Sequence, residues 1–116
     1  MSRVLIVDDQ PAFRHHLRRL LTEAGLVVVG EVGSIAEAED VVREQVPDVA
    51  VVDVMLPRVS GLEGVPRLKA LAPDLRVMVV SAYRDRAAVF EQAAAEAGAE
   101  AFYAKDALDL ETVRAW

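Results

Sequence analysis

Residues 49–61 read VAVVDVMLPRVSG. An apolar run carries one carboxylate, Asp53, to its end, and a loop with Pro57 and Gly61 follows at once. A short apolar run bounded by polar residues reads as a buried parallel strand. An acid at the end of such a strand emerges where open α/β sheets bind ligands, outside the carboxyl ends of the strands.

Outward from that strand, extended and helical patterns alternate. Residues 4–7 are a β-branched-rich first strand with Asp8 and Asp9 at its end. Pro11 suits the first turn of a helix, and Phe13, Leu17, Leu20 and Leu21 share one face of it before Gly25 stops it. Residues 26–29 form a second strand. Ser34 and Glu37 then have capping-box spacing, Ile35, Ala38 and Val42 line the inner face of the next helix, and Pro47 ends it. Past the Asp53 loop, Leu62, Val65, Leu68 and Leu71 repeat at helical spacing. Pro66 inside that pattern predicts a kink or a late start. Residues 75–80 form a fourth strand ending at Ser81 and Ala82. Asp85 can cap a helix whose inner face includes Phe90, Ala93, Ala94 and Ala97, closed by Gly98. Residues 101–104 are a short fifth strand ending at Lys105, and Leu110, Val113 and Trp116 point to a last helix.

Strand and helix thus alternate five times. That pattern calls for a parallel sheet with helices on both faces, and right-handed crossovers leave few topologies. The simplest is the flavodoxin-like, doubly wound five-stranded sheet, order 2-1-3-4-5, with five helices. The chain has 116 residues, enough for one domain with a real core, and its 53% hydrophobic content argues against disorder. No apolar run approaches a membrane span, and Asp8 and Asp9 interrupt any signal-like start. Cysteine is absent, which excludes disulfides and thiolate metal sites and agrees with a cytoplasmic setting. The net charge of −6, with no basic stripe, argues against direct nucleic-acid binding.

Four strands end in polar residues, namely Asp8 with Asp9, then Asp53, Ser81 and Lys105, and this topology brings all of those ends to one edge of the sheet. Crowded carboxylates repel one another and push at least one pKa upward. A divalent cation relieves this, and magnesium prefers oxygen ligands in such a small set. Lys105 is a point charge suited to a phosphate and Ser81 a hydroxyl donor. Asp53 can then act as a nucleophile toward phosphorus, giving an aspartyl phosphate. Taken singly, an Asp after a strand is often a turn former or helix cap, Ser81 a loop residue and Lys105 a solvated lysine. Asp53 after VAVV is more specific, because a charge beside a core strand needs a reason. His15 and His16 read as plain helix residues, since adjacent positions do not share a face.

Together these residues closely resemble the receiver domain of bacterial two-component response regulators. The resemblance runs from VLIVDD at 4–9, through DVMLPRVSG at 53–61 and VVSA at 79–82, to FYAKDAL at 102–108. GAEAFYAKDAL is closest to the NarL/FixJ/LuxR-type subfamily, which carries a C-terminal helix-turn-helix output domain. The resemblance implies a phosphorylation-activated signalling domain rather than a turnover enzyme, one that assists its own phosphorylation and dephosphorylation. Its implied donor is the phosphohistidine of a histidine kinase, or a small donor such as acetyl phosphate. Asp53 is the implied phosphoacceptor, with Lys105 and Ser81 as phosphoryl contacts beside backbone N–H groups near Val54 and Ala82. Asp9, Asp53 and the Met55 carbonyl are the implied magnesium ligands, and Asp8 acts largely through water. Ser81 and Phe102 are the implied switch, changing the surface of the fourth helix, fifth strand and fifth helix. Met55 and Tyr83 flank the phosphoryl group and slow its loss.

Residues 1–116 are then read as one receiver domain, the N-terminal part of a longer transcription regulator. A phosphorylation-dependent homodimer is expected, with DNA reached only through an output domain. Many receivers have proline after the lysine, where this chain has Asp106, and tyrosine is more usual at the position of Phe102. Three other readings are weaker. A flavodoxin-like cofactor binder needs a phosphate loop where Asp8, Asp9 and Gln10 would repel an anion. A haloacid-dehalogenase-type phosphatase needs a second acid where Met55 stands. A degenerate receiver, used only for binding, would lack polar residues that are all present here.

Overall fold

The VAVVD run forms the middle strand of the sheet, and every one of its residues is buried. A computed structural model of the chain describes residues 1–82 and 86–116. The strands are β1 (Arg3–Val7), β2 (Val27–Val32), β3 (Val49–Asp53), β4 (Arg76–Ser81) and β5 (Ala101–Ala104). The helices are α1 (Pro11–Glu23), α2 (Ile35–Gln45), α3 (Gly61–Leu71), α4 (Ala87–Ala97) and α5 (Leu110–Arg114), with a 3-10 turn over Lys105–Ala107. All strand pairs are parallel, and the order is β2-β1-β3-β4-β5, the doubly wound arrangement expected from the alternation.

The two-residue period of the strands divides the core. Leu5, Val7, Ala50, Val52, Val77 and Val79 face α2, α3 and α4. Val4, Ile6, Val49, Val51, Met78 and Val80 face α1 and α5. By the same period Ser81 follows Val77 and Val79 onto the α2–α4 face, where Phe102 also packs. Tyr103 alternates to the other face and meets Trp116 with ring centroids 5.7 Å apart.

Several element bounds shift by a residue or more from the sequence reading, and two differences are larger. The second strand runs from Val27 to Val32 rather than over 26–29. Gly30 and Glu31 break the apolar run, but they pair with Leu5 and Ile6 past a register shift that leaves Val29 outside the ladder. The third helix starts at Gly61, not late, and is continuous past Pro66. Its start is secured by a cap that the reading missed, the Glu63 N–H donating to Ser60 Oγ at 3.1 Å. The proline side of this helix faces solvent, where the Leu62 carbonyl that loses its usual partner can be hydrated. Leu71, the last of the residues read at helical spacing, is exposed, and Gly61 and Gly64 are buried. Glycine here permits close approach, since a Cβ on Gly64 would overlap the Ile35 side chain. The expectations for Asp85 as a cap and Tyr83 as a flanking residue lie outside the described residues.

Candidate functional site

Strand ends build the site. Asp53 closes β3 and is only 3% exposed, and Asp8, one residue beyond β1, is 1% exposed. Asp9 follows into solvent. Parallel pairing of β1 with β3 sets these ends side by side, so one carboxylate oxygen from each of Asp8, Asp9 and Asp53 falls within a 4.8 Å cluster. The end of β5 contributes Lys105 from the far side of β4. Its ammonium lies 2.6 Å from Asp8 Oδ2 and 3.2 Å from Asp53 Oδ2, and it donates to Gln10 Oε1 at 3.1 Å. The surrounding cleft, about 340 Å³, is lined by Asp9, Gln10, Asp53, Met55, Pro57 and Lys105 among others.

Local hydrogen bonds hold the acids in place. The Gln10 N–H donates to Asp8 Oδ1 at 2.8 Å and the Arg14 guanidinium to the Asp8 carbonyl at 2.6 Å, which ties the start of α1 to the acid pair. The Met55 N–H donates to Asp53 Oδ1 at 3.2 Å. The resemblance implied a backbone N–H near Val54 as a contact for phosphoryl oxygens. The Val54 N–H itself goes to the Val80 carbonyl at 3.0 Å, so the donor that meets the Asp53 carboxylate is that of Met55. Ser81 is buried at the end of β4, one residue beyond the Asp53–Val80 pair, and Ala82 lines the cleft. Met55 is 53% exposed at the rim. Phe102 is half-buried. Among the described residues no peptide bond is cis, that between Lys105 and Asp106 included.

Burial, reinforced by the Asp8 carboxylate, pushes the Asp53 pKa from 3.8 to about 6, against the lowering pull of Lys105 and the Met55 N–H. Crowding by acids thus contributes to the upward push at Asp53, second to burial. Asp8 Oδ2 is buried and accepts no hydrogen bond among the described residues, with only the Lys105 ammonium paired to it. An all-oxygen donor set with such an atom fits a hard divalent cation.

Three residues were not read as part of the site from the sequence. Gln10 and Phe13 both reach Lys105, the ammonium lying 4.4 Å from the Phe13 ring centroid. Gly61 was read only as part of the loop. Its N–H donates to the Val54 carbonyl at 2.9 Å, and a Cβ there would overlap the Asp53 carbonyl oxygen. Because the obstacle is backbone, Gly61→Ala is expected to cost about 1–3 kcal/mol, read as a lower urea midpoint at unchanged slope. A midpoint equal to that of the unsubstituted chain would contradict the close approach.

The family model described as the response regulator receiver domain matches residues 4–115. The DNA-binding transcriptional activator DevR/DosR of Mycobacterium tuberculosis is 40% identical over 116 residues, which is 99% of this chain and 52% of that protein. A two-component response regulator of the LuxR family from Aurantimonas superposes with a TM-score of 0.90 at 31% identity, covering 99% of this chain and 81% of that one. A response regulator from Burkholderia pseudomallei, solved with a phosphorylated aspartic acid, calcium ion and citrate, gives a TM-score of 0.86 at 27% identity, covering 99% of this chain and 65% of that one. The chain spans about half the length of the curated relatives it matches, 50% and 52% for regulators of Pseudomonas aeruginosa and M. tuberculosis.

Proposed function

The chain belongs to the response regulator receiver family, and from that premise we propose that Asp53 accepts a phosphoryl group from the phosphohistidine of a histidine kinase. The observation that carries the reading is the Asp53 carboxylate at the end of a buried strand, beside Lys105 at 3.2 Å and within 4.8 Å of Asp8 and Asp9. In the step, a carboxylate oxygen of Asp53 attacks phosphorus and the bond from phosphorus to the donor's imidazole nitrogen breaks. The Lys105 ammonium, already beside Asp53, meets the transferred oxygens, and the Met55 N–H holds the attacking carboxylate in orientation. Asp8, Asp9 and Asp53, with the Met55 carbonyl, would hold magnesium, which supplies positive charge against the charge of the phosphoryl group. The phosphorylated aspartic acid and the calcium ion in the Burkholderia pseudomallei regulator support this reading.

Regulation follows as a population shift. Moving a switch from 1:99 to 99:1 takes ~5.5 kcal/mol of differential stabilisation. New charge-assisted hydrogen bonds contribute ~1.5–3 kcal/mol each, so two or three suffice and one does not. Ser81 and Lys105 are the donors proposed for them, and Phe102, on the same face as Ser81, fills the space that Ser81 leaves. The response appears on the surface made by α4, β5 and α5, where a phosphorylation-dependent homodimer would form. Ser81→Ala is therefore expected to accept a phosphoryl group yet dimerise incompletely on size-exclusion chromatography with light scattering. Full dimerisation of the phosphorylated variant would contradict the role of Ser81.

Residues 1–116 act in this reading as the receiver unit of a longer transcription regulator, in keeping with relatives about twice the chain's length. The lack of cysteine suits a cytoplasmic setting, and among the described residues no helix is long and apolar enough to cross a membrane. Intact mass after incubation with acetyl phosphate and magnesium tests the proposal. One added phosphoryl group is expected, lost in Asp53→Ala and when the metal is chelated. A gain that survives both controls would overturn the assignment.

A further inference from the structure

Lys105 carries the one cation that pairs with Asp8 and Asp53 among the described residues, so its placement governs the charge balance of the site. Its side chain is only 9% exposed, although lysine is a strongly hydrated residue on a flexible stem. The two acids draw the ammonium in by charge, and further contacts restrict where it sits. The start of α1, from its N-cap Gln10 to Phe13, supplies two further contacts among the described residues. Gln10 Oε1 accepts from the ammonium at 3.1 Å, and the face of the Phe13 ring lies 4.4 Å from it. The two residues are three apart, so both side chains stand over the same helix end. Pro11 opens that helix, and the bonds from the Gln10 N–H to Asp8 Oδ1 and from Arg14 to the Asp8 carbonyl anchor the turn to the acid pair. Asp53 and Gln10 accept from the ammonium, Asp8 pairs with it by charge, and the electron-rich face of Phe13 covers another side.

We propose that Phe13 and Gln10 are positioning residues, which fix the Lys105 ammonium over the Asp53 carboxylate so that it meets the incoming phosphoryl group without reorganising. Phe13 also packs in the cluster under α1 and α5, so a loss of activity alone would not separate placement of Lys105 from packing. A double-mutant cycle does separate them. The proposal rests on phosphoryl acceptance at Asp53, and a magnetic-resonance readout that needs no phosphoryl donor keeps the two independent.

The rate of phosphoryl uptake from acetyl phosphate with magnesium is compared for Phe13→Leu and Phe13→Met, each with Lys105 present and as a pair with Lys105→Ala. Both substitutions keep an apolar side chain and remove the ring face. With Lys105 present, uptake is expected to slow roughly threefold to thirtyfold, the range set by an ordinary cation–ring contact. Phe13→Trp keeps the rate near that of the unsubstituted chain, and Gln10→Ala slows it less than loss of the ring. In the Lys105→Ala background the changes at Phe13 and Gln10 have no further effect. In resting chains the ε-methylene protons of Lys105 are expected upfield when Phe13 is present and at ordinary positions in the Phe13→Leu variant. Equal slowing in both backgrounds, or no slowing when Lys105 is present, would overturn the proposal. If the unsubstituted chain takes up no phosphoryl group, the reading of Asp53 fails, and the Lys105 resonances alone then decide whether Phe13 positions it.

Discussion

Asp53→Asn is expected to abolish phosphoryl acceptance and, in metal-free buffer at pH 7–8, to make the fold more stable. The sign follows from the raised pKa. Between 3.8 and about 6 the folded chain holds a proton on Asp53 that the unfolded chain has lost. Stability associated with this group is therefore full below about pH 4 and is lost as the pH rises through about 6. The gap in pKa corresponds to about 3 kcal/mol at most. Water at the mouth of the cleft screens the charge and brings the expected gain to about 1–2 kcal/mol. Asparagine keeps an oxygen for the Met55 N–H and carries no charge to desolvate. The check is the difference in urea-unfolding free energy between the two chains as a function of pH. It should be near zero at pH 4 and grow to its full value by pH 7. A variant less stable than the unsubstituted chain at pH 7–8 without metal would show that Asp53 is not a strained carboxylate.

Lys105→Ala acts in the opposite direction and more strongly. It leaves Asp8 and Asp53, both nearly inaccessible, without their paired cation. Orphaning one partner of a buried ion pair costs ~3–5 kcal/mol, and access of water to the cleft points to the lower end, about 3 kcal/mol at pH 8. Lys105 holds the Asp53 pKa down, so its removal moves that pKa further upward and the lost stability returns as the pH falls and Asp53 protonates. Magnesium should raise the Tm of this variant more than that of the unsubstituted chain, because no ammonium then competes for the same oxygens. Thermal melts at pH 5 and pH 8, with and without magnesium, read all of this. Equal magnesium stabilisation of the two chains would mean that the metal and the ammonium do not share the acids.

These effects depend on side-chain meetings that differ in how well the sequence foreshadows them. Strand positions followed from runs such as VLIV and VAVV, and the parallel order followed from their alternation with helical patterns. That alone places Asp8, Asp53, Ser81 and Lys105 at one edge, because a parallel sheet puts all its carboxyl ends together. The second strand was cut short because Gly30 and Glu31 interrupt its apolar run, although pairing with β1 carries the ladder on to Val32. The kink or late start expected of α3 weighed Pro66 above the Ser60–Glu63 cap, which was legible as a capping box but was not used. The contact of Phe13 with Lys105 was not legible, since nothing in periodicity ties a helix residue to a strand end so distant in the chain. The demand on Gly61 was hidden in the same way. A glycine after a strand reads as turn chemistry, and only packing shows the Asp53 carbonyl where its Cβ would be.

The most direct measurement locates the phosphoryl group among the three clustered acids. The chain is treated with acetyl phosphate and magnesium, reduced with borohydride, which converts an aspartyl phosphate to homoserine, then digested and sequenced by mass spectrometry. The expected result is homoserine at position 53, with Asp8 and Asp9 unchanged. Homoserine at position 8 or 9, or an unreduced Asp53 in a chain whose intact mass has gained a phosphoryl group, would contradict the assignment of Asp53 as the acceptor.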